Sequence, residues 1–72
     1  MGMAQQNPSV IIATKRKALG VTQKQAADKA GIASETWEVI ERGVIQNPTL
    51  ETAKGIARAL GCKLADIWSW AK

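Results

Sequence analysis

Seventy-two residues with one cysteine and no histidine make one small domain, without an internal disulfide, a His-based metal site or a Ser–His–Asp arrangement. Ten Lys and Arg against six Asp and Glu give a net charge of +4. No apolar run approaches the roughly 20 residues a membrane span needs, and "MGMAQQNPS" has neither the basic start nor the apolar core of a signal peptide, so a cytoplasmic location is expected.

Residues 1–8 carry no apolar periodicity and are expected to form a mobile tail before a domain over 9–72. "PSVIIATKRKALG" reads as the first helix, with Pro8 suited to its first turn and Gly20 to its end. Ile12, Arg16 and Leu19 share one face, so Arg16 turns towards the core. "TQKQAADKAG" is the second helix, over about 23–30. Thr22 and Gln25 have capping-box spacing, and Gly31 suits a left-handed end. Its inward residues Ala26, Ala27 and Ala30 are all small, which lets another backbone approach.

A third helix covers about 34–42 and stops at Gly43. Trp37, Ile40 and Glu41 share one side of it, while Glu35, Val39 and Arg42 share the other. Thr36 and Glu38 lie on the flanks. "NPTLETAKGIARALG" is the fourth helix, capped by Thr49, with an inward stripe of Leu50, Ala53, Ile56, Ala57 and Leu60. Gly55 in its middle costs about 1 kcal/mol of helix propensity, and the sequence offers no reason for it. "KLADIWSW" reads as a short fifth helix with Leu64, Ile67 and Trp68 inward. Trp70, two residues on, faces elsewhere and suggests an interface. The fold class is all-α, and helices two and three, joined at Gly31 by about three residues, form a helix-turn-helix.

Lys15, Arg16, Lys17, Lys24 and Lys29 fall within residues 15–29, where Asp28 is the only acid. Such a patch points to a polyanion such as nucleic acid, or else to a solvated surface. Cys62 reads as a small buried hydrophobe, with redox or metal roles as the alternatives. No catalytic set is visible, so an enzyme, a cofactor and a small-molecule substrate are not expected.

"LGVTQKQAADKAGIASETWEVIERG" followed by "NPTLETAKGIARALGCKLADI" resembles the helix-turn-helix family of lambda-type repressors, Cro proteins and xenobiotic-response-element regulators, over about residues 9–68. Thr22-Gln23, Ala27, Gly31-Ile32, Ile40-Glu41-Arg42-Gly43, Asn47-Pro48, Leu50-Glu51-Thr52 and Ala59-Leu60-Gly61 carry the likeness. It implies a compact five-helix domain, usually dimeric, that binds double-stranded operator DNA and regulates transcription. It also implies an inward ion pair between Arg16 and Glu41. Bases would be read from Ser34, Glu35 and Val39, with Thr36 and Glu38 at the edge. Phosphates would be met by Gln23 and Lys24 at the start of the second helix and by Arg42.

The chain departs from the family pattern in its third helix, which carries neither Gln nor Asn for adenine and has its one Arg at the far end. Glu35 and Glu38 there would be repelled by phosphates, or else are solvated helix formers. The following loop, residues 44–48, reads "VIQNP" where basic residues are common, leaving Val44 and Ile45 exposed. Trp37 replaces a smaller aliphatic residue and is expected to fill the room left by Ala26 and Ala30. These departures suit an alternative reading: an antirepressor or modulator that binds another repressor through acids and an apolar loop. Val44, Ile45, Trp68 and Trp70 are the expected partner or dimer contacts under either reading.

Overall fold

A computed structural model describes residues 7–45 and 47–71. The described residues form four α-helices, α1 (Pro8–Leu19), α2 (Gln23–Ala30), α3 (Ser34–Glu41) and α4 (Leu50–Leu60), then a 3-10 turn at Leu64–Asp66. The tail expected to be mobile lies outside the described residues as far as Gln6, and so does Gln46 of the 44–48 loop.

Local chemistry accounts for the starts of α1, α2 and α4 and for the end of α2. Asn7 caps α1 by accepting from the Val10 N–H at 3.1 Å, and Pro8 opens the first turn, where its missing N–H costs nothing. Thr22 and Gln25 form the reciprocal capping box at 3.0 and 2.9 Å. Gly31 ends α2 at φ 76°, a conformation that glycine adopts without strain, and the chain turns there into α3. Thr49 caps α4 through the Thr52 N–H at 3.2 Å.

The core is Ile12, Ala26, Ala27, Trp37, Ile40, Ala53, Ile56, Ala57, Leu60, Ile67 and Trp68. Trp37 is fully buried within this core. α2 packs most extensively on α4, and Gly55 explains how. A Cβ built at Gly55 would stand 2.5 Å from the Ala30 carbonyl oxygen, so the two backbones touch where any side chain would intrude.

Three expectations need correction. Leu19 and Leu50, assigned to inward faces, are 51% and 53% exposed. Leu19 closes α1 just before the turn at Gly20, and Val21 packs on the core beyond it. Leu50 is the first residue of α4, where a side chain leaning towards the N-terminus projects past the end of the helix. The fifth helix is a single 3-10 turn, in which the Ile67 N–H donates to the Leu64 carbonyl at 3.0 Å and Asp66 accepts from the Lys63 N–H. So short a segment is marginal as an α-helix, and the tighter turn still buries Ile67 and Trp68.

Candidate nucleic-acid interface

α3 is fixed from behind. Glu41, at its last position, accepts from Arg16 Nε of α1 at 2.6 Å and from an Arg16 terminal nitrogen at 3.2 Å. Gln23 Nε2 of α2 donates to it at 2.9 Å, and Trp37 Nε1 of α3 itself at 2.5 Å. Arg16 also donates to the Val21 carbonyl at 2.9 Å, across the turn between α1 and α2. One carboxylate thereby ties three helices together. The side chains of Arg16 and Glu41 keep only 13% and 7% exposure. Burial alone would raise the Glu41 pKa, but hydrogen bonds from Arg16, Trp37 and Gln23, with the guanidinium charge, outweigh it and hold the pKa below the ordinary value.

The Arg16–Glu41 pair stands as the resemblance implied. Two of its partners were missed. Trp37 lies four residues before Glu41 on one side of α3, a spacing that places the two within reach. Gln23 carries no comparable signal, since its contact spans 18 residues. Its side-chain amide is engaged by Glu41, which leaves the backbone N–H at the start of α2 for the phosphate contact expected at Gln23.

The opposite side of α3 faces solvent. Glu35, Glu38 and Arg42 are exposed, and Ser34, Thr36 and Val39 are half-buried. Arg42 is the C-cap rather than a helical residue. Ala33 precedes the helix and offers no side-chain cap, so the first N–H groups of α3 lack the side-chain partner that Asn7, Thr22 and Thr49 give the other helices. Among the described residues Arg16–Glu41 is the one ion pair, so Glu35, Glu38, Arg42 and Lys24 keep their charges for other contacts. Lys17, Lys24 and Lys29 are exposed.

Val44, Ile45 and Trp70 are 66%, 38% and 50% exposed. Trp68 is only 2% exposed and belongs to the core, where it stacks on Trp70 with ring centroids 5.9 Å apart. Trp70 is therefore the more exposed of the two indoles. Cys62 packs half-buried against the core, and burial raises its thiol pKa, opposed by the charge of Lys15 and assisted by that of Asp66.

A helix-turn-helix family model matches residues 12–67. The chain belongs to the Cro/CI-type helix-turn-helix family. It is also 41% identical, over 51 residues, to an uncharacterized HTH-type transcriptional regulator of Methanothermobacter thermautotrophicus, a match covering 71% of this chain and 72% of that protein. In this family chain, α2 and α3 are the helix pair and α3 is the second, outward-facing member. Among the described residues no helix is long and apolar enough to cross a membrane.

Proposed function

We propose that this protein is a DNA-binding transcription regulator of the phage-repressor or Cro type, with α3 laid in the major groove. The observation that carries this reading is the two-sidedness of α3. Its inner side is locked to α1 and α2 through Glu41, and its outer side presents Glu35, Glu38, Val39 and Arg42. Ser34, Glu35 and Val39 read base edges, with Thr36 and Glu38 beside them. Glu35 accepts from a cytosine amino group, and Val39 meets a thymine methyl. Lys24 and Arg42 hold phosphates, joined by the backbone N–H of Gln23 at the start of α2. Lys17 and Lys29 add salt-dependent attraction. The active form is a homodimer in the cytoplasm that pairs through Val44, Ile45 and Trp70 and spans two half-sites. Selection from a random duplex pool with the pure protein tests this reading, and an enriched two-half-site motif is the expected result.

A second reading is favoured by the two carboxylates on α3 that lack an ion pair among the described residues, together with exposed Val44 in the following loop. In it the protein is a modulator whose acids engage the basic DNA-binding face of another repressor. Absence of any enriched motif, with co-purification of another DNA-binding protein, selects this reading.

A further inference from the structure

Among the described residues, α1, α2 and α4 begin in one way. The residue before each helix lends a side-chain oxygen to the N–H three positions on: Asn7 to Val10 at 3.1 Å, Thr22 to Gln25 at 3.0 Å and Thr49 to Thr52 at 3.2 Å. α3 begins after Ala33, whose methyl accepts nothing, and the N–H of Thr36, at the same position, has no acceptor among the described residues. The Ala33 backbone nevertheless holds the extended conformation of a cap, at φ -69° and ψ 148°. The chain is shaped for a cap at this point and lacks the oxygen.

Packing does little to replace it. α3 contributes Trp37 and Ile40 to the core, whereas Glu35 is exposed and Ser34 and Thr36 are half-buried outside it. Glu35 brings a favourable charge to the positive end of the helix, but an exposed carboxylate there contributes no more than a cap does. The far end of α3 is the opposite case. Trp37 and Ile40 are buried, and Glu41 is held by Arg16, Gln23 and Trp37. The helix is fixed at its C-terminal end and loose at its start.

We propose that the first turn of α3, residues 34–36, is an opening unit built into the fold, which unwinds and rewinds in the free protein while the segment from Trp37 to Glu41 stays locked. Local openings of this kind occur where few buried contacts hold the backbone. The missing cap makes this one about fivefold more frequent than its counterparts in α2 and α4. Ser34 and Glu35 ride on the turn. Where α3 reads DNA, a consequence that rests on the proposed function, the two side chains settle into place as the turn closes against the groove.

Native-state hydrogen exchange on the full chain, without DNA, tests the proposal. The Trp37 N–H makes the first bond of α3, to the Ala33 carbonyl at 3.1 Å, as the Ala26 and Ala53 N–H groups do for α2 and α4 at 2.9 Å. Protection at Trp37 should lie about fivefold below that at Ala26 and Ala53. Low urea should leave it unmoved while protection at Glu41 falls, because local opening exposes little surface. Ala33→Ser places a hydroxyl on an exposed residue already in cap geometry, so the fold persists, and it should raise Trp37 protection by about fivefold. Three results overturn the proposal: Trp37 as protected as Ala26 and Ala53, Trp37 falling with urea in step with Glu41, or no change on Ala33→Ser. A bound duplex should raise protection at Trp37 and leave Ala53 as it was. Equal protection at Trp37 in free and bound protein overturns the closing of the turn on DNA. Failure to bind any duplex overturns the proposed function instead and leaves the result for the free protein standing.

Discussion

Trp37 Nε1 donates to Glu41 Oε2 at 2.5 Å, one turn further along the same helix. The buried indole thus does two things: its ring lies wholly within the core, and its N–H helps to hold a carboxylate that also accepts from Arg16 and Gln23. A smaller aliphatic residue at this position would supply no such donor. The acid that sits oddly on a basic chain is the tie between the helix pair and α1.

Glu41→Ala should therefore cost about 3 kcal/mol or more, because it strands a largely buried guanidinium and leaves two donors unpaired. Glu41→Gln keeps the shape and one acceptor oxygen, and should cost less. Urea unfolding followed by Trp fluorescence measures both. A loss under about 0.5 kcal/mol for Glu41→Ala, the usual level at a surface, would show that the tie is not structural.

The same carboxylate sets a pH dependence. Its folded pKa lies below the unfolded glutamate value of about 4.3. The unfolded chain then binds the proton more readily, so the stabilisation is complete above the unfolded pKa. It falls away as the pH drops through the folded value. Unfolding midpoints from neutral pH downwards should fall below about pH 4 in the wild type. Glu41→Gln should lose the part of that slope that Glu41 supplies. Parallel slopes in the two proteins would place the titration elsewhere.

Gly55→Ala tests the contact between α2 and α4. In an ordinary helix this change gains about 1 kcal/mol. Here the new methyl would meet the Ala30 carbonyl at 2.5 Å, and backbone cannot rotate aside as a side chain does. Overpacking of about 1–3 kcal/mol should exceed the gain. The expected outcome is a Tm lowered by several degrees, and a raised Tm would refute the close approach.

What the sequence made legible follows from periodicity. Helix boundaries carried side-chain caps and glycines, and the inward turn of Arg16, Trp37 and Glu41 followed from 3.6-residue spacing. The exposure of Glu35 and Glu38 followed from the same wheel, and that of Val44 from the loop that follows α3. Contacts between elements were less visible. Gly55 reads as a propensity defect until α2 is laid against it, and Gln23 reads as a free surface amide until Glu41 is placed 18 positions away. Leu19 and Leu50 show the limit of the wheel itself, which treats every turn as covered although the first and last turns of these helices are not.

Trp70 is half exposed, as Ile45 and Val44 are exposed, and an exposed aromatic is a natural anchor for a partner. Sedimentation at several concentrations should show self-association of the wild type, in solution or on a duplex, and its loss in Trp70→Ala. Trp70 is half exposed and stacks on Trp68 from outside the core, so the variant should still fold. Two proteins that remain monomeric throughout, and bind DNA as monomers, would remove Trp70 from any dimer contact.

Glu35 and Glu38 decide between the two functional readings. Both are exposed, both lie on the outward side of α3, and neither has a cation within 4 Å among the described residues. If α3 reads DNA, Glu35→Ala should relax selectivity at one base pair by about 1–3 kcal/mol, the worth of a good base contact. Lys24→Ala should instead weaken all sequences alike and lower the salt slope by about one. If α3 engages a basic protein face, the double change Glu35→Gln, Glu38→Gln should abolish that complex. It should also strengthen weak, non-specific DNA binding, because two charges that repel phosphate are gone. The double variant, assayed against a duplex pool and against any co-purifying protein, distinguishes these outcomes. Unchanged binding in both assays would make the two acids ordinary solvated helix residues and would leave α3 without the contact role assigned to them.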